Sequence, residues 1–278
     1  MFKGRRLLIA TKHHKEQVIA PILEKGLGVL CFVPKNYDSD IFGTFSGEVE
    51  RKNTAVETVK AKCLAAMEKF KCDLGIASEG SFGSHPSFFF AQADDEFLIF
   101  IDKKNDLEII VRELSLDTNF YGEEILNEKM LFDFAYRVKF PSHAIILRSK
   151  PDNLKEISKG ITTRSQLEDS FQHLMSVYGS VYAETDMRAM NNPTRMGVIK
   201  GAAQKLLETI KAKCPSCKTP GFSITDLKEG LPCSWCSAPT RSTLSFIYTC
   251  KKCSFRSEKM HPHKKTTEEP QFCDSCNP

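Results

Sequence analysis

The chain has no apolar run long enough to cross a bilayer and only one tryptophan, Trp235. Its opening residues, Met1-Phe2-Lys3-Gly4-Arg5-Arg6, pass straight into a strand-like segment without the apolar core or cleavage site of a signal peptide. A cytoplasmic location with no membrane partner is the expectation. Strong charge is also missing, since the formal net charge is +4. From Lys211 onward there are 11 Lys+Arg against 6 Asp+Glu, a net +5, which leaves −1 for the first 210 residues. A basic tail of that size argues little for a polyanion partner. No glycine-rich phosphate fingerprint stands at the first strand-to-helix turn.

What the chain does have is cysteine at its end. Eight of its 11 cysteines fall in four Cys-x-x-Cys pairs: Cys214/Cys217, Cys233/Cys236, Cys250/Cys253 and Cys273/Cys276. Each pair places two thiolates one knuckle apart, and two pairs complete the tetrahedron preferred by Zn²⁺, so the pattern predicts two closed structural zinc sites. Zinc fits better than an iron–sulfur cluster, and in a reducing compartment better than disulfides. With two zinc ions bound, eight thiolates lower the charge of this region to about +1. Which pairs share an ion is open. Sequential pairing suits the intervening stretches of 15 and 19 residues, while Cys233/Cys236 with Cys250/Cys253 reads as a ribbon hairpin through Thr243–Tyr248. Cys31, Cys63 and Cys72 lie in apolar contexts and read as core thiols.

At 278 residues, 41% hydrophobic and 27% charged, the chain can build one α/β core and append a small module. The predicted division is an α/β domain over residues 1–210, a mixed sheet flanked by helices, and a zinc-ribbon-type module over 211–278. Arg5–Ala10 reads as a buried strand, followed by Thr11-Lys12-His13-His14-Lys15-Glu16 and a helical face of Val18, Ile19, Ile22 and Leu23. A strand, polar turn and helix start present N–H groups to an anion, and Thr11 and Lys15 would complete a phosphate cradle; a merely solvated turn is the alternative. A second strand spans Gly28–Val33. Val56, Val59, Cys63, Met67 and Phe70 recur at helical spacing as core. A third strand, Asp73–Ala77, ends in Ser78-Glu79-Gly80-Ser81-Phe82-Gly83, where glycines flank a carboxylate at the ligand-binding edge of an open sheet. Glu79 is the preferred divalent-metal ligand.

Strands at Glu96–Asp102 and Leu107–Val111 flank Lys103-Lys104-Asn105-Asp106, a hairpin signature, and a helix around Glu123–Val138 precedes the strand Ala144–Arg148. His143, at that strand's start, suits a structural hydrogen bonder better than a base. A further helix carries Leu167, Phe171 and Leu174 on one face. Val181–Thr185 then delivers Glu184 and Asp186 to a turn bracketed by Arg188 and Arg195, with Asn192 and Pro193 opening a helix to about Lys213. Arginine grips phosphate bidentately, although an internal acid–arginine network is the equal alternative. A strand parallel to those ending at Ala10 and Ala77 would bring this turn to the same edge.

Taken together, Ala10–Glu16, Gly43–Arg51, Ala77–Gly83, Glu184–Met190 and Cys273–Pro278 resemble an uncharacterised, mainly bacterial family of unknown function. More distantly, the order of strand, Thr-x-x-x-Lys turn, helix, acidic loop, helix and a strand ending Gly-Ile-x-x-Glu-Gly resembles the inosine/xanthosine triphosphate pyrophosphatases. Lys159–Arg164 before a helix echoes a late stretch of those enzymes. That resemblance implies a Mg²⁺-dependent hydrolase of nucleotide phosphoanhydrides, with Thr11, Lys15, Arg188 and Arg195 on phosphates and Glu79 with Glu48 or Asp186 on the metal. The chain departs from it at His13-His14, at Ala77-Ser78 and in the cysteine module. The rival expectation is a non-catalytic adaptor for nucleic acid or protein, using Trp235, Phe246, Tyr248 and Phe255 with Lys251, Lys252 and Arg256. Those aromatics equally suit the core of a small zinc module. Oligomeric state is not legible.

Overall fold

Leu7, Leu8, Ile9 and Ala10 are at most 2% exposed, as a strand covered on both faces requires. They belong to β1 (Arg6–Ala10), an inner strand of a five-stranded mixed sheet in a computed structural model that describes residues 1–35, 37, 53–151 and 153–278. Glu48 and the Gly43–Arg51 motif therefore lie outside the described residues. The chain divides into two compact units, Met1–Leu207 and Glu208–Pro278.

In the first unit, α1 (Glu16–Leu27) leads to β2 (Leu30–Phe32), and α2 (Ala55–Lys69) leads to β3 (Leu74–Ser84). Both strands pair parallel with β1, one on each side. β4 (Gln92–Asp102) and β5 (Leu107–Ser115) extend the sheet antiparallel in the order β2-β1-β3-β4-β5. Alternation along the strands sorts their side chains to two faces. Leu8, Ala10, Ala77, Ile99 and Ile101 pack against Val59, Cys63, Ala66 and Met67 of α2. The opposite face, with Leu7, Ile9, Ile76, Leu98 and Phe100, receives α1: Lys15 at its start reaches Ser78 on that face, 3.0 Å away. Of the five core positions expected on α2, Val56 is 44% exposed, because it sits in the first turn beyond the sheet. The helix start is fixed by a capping box between Thr54 and Glu57.

A second, four-stranded antiparallel sheet follows, in the order β6-β9-β7-β8, from β6 (Gly122–Ile125), β7 (Ile145–Arg148), β8 (Ile157–Ile161) and β9 (Val181–Thr185). Ile145, Leu147, Val181 and Ala183 pack on α3 (Glu128–Arg137) and α4 (Arg164–Tyr178) through Leu131, Phe134, Leu167, Phe171 and Leu174. The helix expected from Glu123 begins later because Gly122–Ile125 is held in register with β9 and Asn127 caps α3, its side chain accepting Met130 N–H at 3.0 Å. The condition for Val181–Thr185 to bring its turn to the edge of β1 and β3, a parallel run in their sheet, is not met: β9 pairs antiparallel with β6 and β7 in the second sheet. α5 (Pro193–Lys211) opens as expected at Asn192, whose side-chain carbonyl accepts Arg195 N–H at 3.0 Å.

The second unit holds a meander of β10 (Ile224–Glu229), β11 (Thr243–Thr249) and β12 (Arg256–Met260). Tyr248, Phe222 and Phe255 cluster with ring centroids 5.6 and 6.0 Å apart, and Phe246 meets His263 edge-on at 5.3 Å. These rings serve as a small core.

Asp102 ties the first strand to the β4–β5 turn. It is fully buried, accepts two hydrogen bonds from the Arg5 guanidinium at 2.6 and 2.8 Å, and accepts further bonds from Lys104 and Asn105 N–H. Burial works to raise its pKa, but the Arg5 and Asn105 hydrogen bonds outweigh it and hold the carboxyl below its ordinary value. A depressed folded pKa contributes stability above the unfolded carboxylate pKa of about 4 and loses it as pH falls. Asp102→Asn should therefore cost about 2–4 kcal/mol at pH 7, read by urea denaturation, with the difference from wild type shrinking in acid.

Candidate functional site

The chain leaves β1 through α1 on one face of the main sheet and reaches β3 after α2 on the other. The carboxyl ends of β1 and β3 thus part at a switch point, where open α/β sheets keep room for ligands. Thr11 lies there, 6% exposed, with a hydroxyl that has no hydrogen-bond partner among the described residues. Lys15 follows at the N-cap of α1 without a side-chain cap. Its Nζ donates to Ser78 Oγ and lies 3.9 Å from Glu96 Oε2. From the start of α5, Arg195 donates through Nε to Glu96 Oε1 at 2.6 Å, donates to the Met187 carbonyl, and stacks over the Phe82 ring at 4.8 Å. Gly80 leaves room opposite Glu96, because a Cβ there would displace both the Arg195 guanidinium and the Glu96 carboxylate.

Asp94 stands two residues before Glu96 on the same face of β4. Both are 0% exposed, and among the described residues neither oxygen of Asp94 nor Oε2 of Glu96 has a hydrogen-bond partner. Burial pushes the Asp94 carboxyl up to about 8, with the Glu96 charge adding to it. Burial likewise brings the Lys15 ammonium down to about 8, against the opposing pull of Glu96. At Glu96 burial acts to raise the pKa, but Arg195 and Lys15 prevail and the group is held low. Two cations and one ionised carboxylate are thus interlocked beside a second carboxyl with nothing to bind.

Of the expected set, the structure brings Thr11, Lys15 and Arg195 to this region and gives Glu79, Asp186 and Arg188 other partners, while Glu48 lies outside the described residues. Glu79 does not emerge from a loop at the sheet edge. β3 continues to Ser84, paired with β4 throughout, and Glu79 points to the α2 face, where it forms an ion pair with Lys62. Lys15 still feels the Glu79 and Lys62 charges. Asp186 is 0% exposed and fully engaged: Arg188 N–H and guanidinium and the Asn191 amide all donate to it. Arg188 is turned toward Asp186 and Gly160, and Glu184 pairs with Arg148. This motif is the internal network that sequence reasoning weighed as the alternative, because β9 lies in the second sheet. His143 is structural too: its Nε2 accepts Thr194 N–H at 3.2 Å at the start of α5, and burial lowers its pKa. Asp94, Glu96, Ser78 and Lys62 were missed. Extending the strand at Glu96 back by two residues would have placed Asp94 and Glu96 on the same inner face as Leu98 and Phe100.

In the second unit the cysteines form two tetrads, Cys214/Cys217/Cys250/Cys253 and Cys233/Cys236/Cys273/Cys276, each with its Sγ atoms within 4.8 Å of one another. Each tetrad could hold a metal ion. Neither pairing considered from sequence occurs. The first pair joins the third and the second joins the fourth, with Sγ–Sγ approaches of 3.7 and 3.6 Å, then 3.9 and 3.6 Å. Three knuckles repeat one turn, in which Lys218, Ser237 and Ser254 donate backbone N–H to Cys214, Cys233 and Cys250 and adopt φ of 62°, 59° and 58°. Aligned donors favour thiolate: the Thr219 hydroxyl and N–H bring Cys217 down to about 6. Within the second tetrad the hydrogen bond with Cys236 pushes the Cys276 thiol up to about 12. Such crowding calls for a cation.

Residues 62–278 match the family described as Domain of unknown function (DUF6671), and the chain belongs to that family. No curated protein matches the chain. A solved structure, the crystal structure of protein VC0702 from Vibrio cholerae, is similar over 74% of this chain and 94% of that one, at 10% identity and a TM-score of 0.32, too low to define the fold. Among the described residues no helix is long and apolar enough to cross a membrane.

Interleaving means that each tetrad closes a loop containing half of the other. Protein purified without chelator should carry two metal ions. Cys250→Ser should lower the content well below one ion per chain rather than to one, by elemental analysis, because losing the first site frees a half of the second.

Proposed function

We propose that the first unit binds a phosphate-bearing small molecule, such as a nucleotide, and hydrolyses its phosphoanhydride with a divalent cation, while the second unit is stabilised by two structural zinc ions. The observation that supports this reading is the convergence of buried Lys15 and Arg195 on Glu96, beside unpartnered Asp94 and Thr11, at the switch point of the sheet. Two cations among carboxylates suit neither a bare anion nor a bare metal ion. They suit a metal–phosphate complex, whose oxygens take the cations while its ion takes the acids. Lys15, at the positive end of α1, would face the phosphates, with the Thr11 hydroxyl beside it. Arg195 would hold Glu96 and neutralise charge. When bound, magnesium would polarise a phosphoryl oxygen and a water. The nucleoside triphosphate pyrophosphatase resemblance agrees with this chemistry.

Four thiolates and no other donor type in each tetrad suit zinc. The adaptor alternative keeps one supporting observation: Trp235 and Phe272, beside Cys236 and Cys273, are 79% and 57% exposed.

A screen of nucleotides and other phosphorylated metabolites with Mg²⁺ should raise the melting temperature of the full chain. Lys15→Met should weaken binding of the best ligand at least about tenfold, the loss of one charge-assisted hydrogen bond. If no phosphorylated compound stabilises the wild type and Lys15→Met lowers its melting temperature, the cluster is an internal salt-bridge network and the hydrolase reading fails.

A further inference from the structure

We infer that Asp94 and Glu96 are the protein ligands of a divalent-cation site of the magnesium and manganese class, a deepening that rests on the phosphate-binding reading above. The two side chains leave the same face of β4 two residues apart, so their Cα atoms are about 7 Å apart and one ion lies within reach of both. They contribute three oxygens with no hydrogen-bond partner among the described residues, both of Asp94 and Oε2 of Glu96, on residues that are 0% exposed. Buried carboxylate oxygens are ordinarily paired, and leaving them bare costs several kcal/mol unless the group is neutralised or a cation is present. The other carboxylates of the unit's charged network are already engaged: Glu79 by Lys62, Asp186 by Arg188 and Asn191, and Glu184 by Arg148. Asp94 accepts no hydrogen bond among the described residues, although the Arg195 and Lys15 charges reach it.

The donor set selects the ion. Carboxylate oxygens without histidine or cysteine favour hard cations, and among the described residues the groups of three or more candidate ligands are the two cysteine tetrads. Two carboxylates leave most of an octahedron to water and phosphate oxygens, which is how magnesium is commonly held in phosphoryl-transfer sites. Lys15 and Arg195 lie against Glu96 and repel a bare ion. The ion therefore binds weakly alone and more tightly with phosphate oxygens between it and the two cations.

Mn²⁺ is the probe, followed by electron paramagnetic resonance on the zinc-loaded full chain with and without inorganic pyrophosphate. The wild type should bind one Mn²⁺ outside the cysteine tetrads, at least tenfold more tightly with pyrophosphate, and Mg²⁺ should displace it. Asp94→Asn should weaken Mn²⁺ at least tenfold while its melting temperature without cation stays at or above that of wild type. If that variant does not fold, Asp94→Ser takes its place. Absence of Mn²⁺ binding to wild type, or unchanged affinity in the Asp94 variant, overturns the site. Pyrophosphate binding measured without metal separates the two ideas. If it persists and depends on Lys15 while Mn²⁺ fails to bind, the cation site is wrong and the phosphate reading stands. If Mn²⁺ binds through Asp94 with no response to pyrophosphate or nucleotides, the cation site stands and the phosphate reading fails.

Discussion

The first unit is organised around one buried carboxylate. Glu96 sits at full burial on β4 and accepts Arg195 on one oxygen while Lys15 stands off the other. Those partners begin α5 and α1, so a single charge fixes the entry of two helices onto the same face of the sheet. An ionised group there is tolerable only because two cations offset its desolvation, and removing either would leave the others exposed to the full cost. The same constraint explains the local sequence. Gly80 leaves space across from Glu96, Phe82 offers its ring to the Arg195 guanidinium, and Asn192 fixes the helix start that aims Arg195 inward.

A network built only for stability would be expected to close. This one does not, since the Asp94 oxygens and the Thr11 hydroxyl are left over where β1 ends and the β3–β4 hairpin runs on. The contrast with Asp186 is instructive. That residue is equally buried, yet every strong donor around it, from Arg188 and Asn191, is aimed at it. Two buried acids in one unit thus show opposite degrees of satisfaction. On the reading proposed above, the satisfied one serves the structure and the unsatisfied one awaits a ligand.

Sequence reasoning succeeded where the controlling interaction is local. The face of α4, the cap of α5 at Asn192-Pro193, the β4–β5 turn at Lys103–Asp106 and the knuckle spacing of the cysteines depend on residues within a few positions of one another. It failed where a distant partner decides. Glu79 was placed at a sheet edge because nothing local reveals that β4 pairs with β3 as far as Ser84, and a strand extended past Ala77 turns Glu79 to the α2 face. β9 was placed in the wrong sheet because an alternating segment of five residues carries no record of its neighbours. The cysteine pairing failed likewise: spacing names the ligands, but topology chooses which knuckles meet.

That topology also determines what holds the second unit together. Beyond the last helix, its fully buried apolar residues are Leu231 and Ile247 with Cys214, Cys233, Cys250 and Cys273, one cysteine from each knuckle. Sulfur therefore occupies the positions that Leu and Phe fill in the first unit. A segment of 71 residues with so few buried apolar side chains gains little from the hydrophobic effect, and four thiolates brought within 4.8 Å of one another repel unless a cation lies between them. The outer strands of the meander are correspondingly wet, with every residue of β10 and most of β12 exposed. The sheet positions the knuckles, and metal ions held in the interleaved tetrads would lock the sheet in turn, which couples folding of the unit to metal binding.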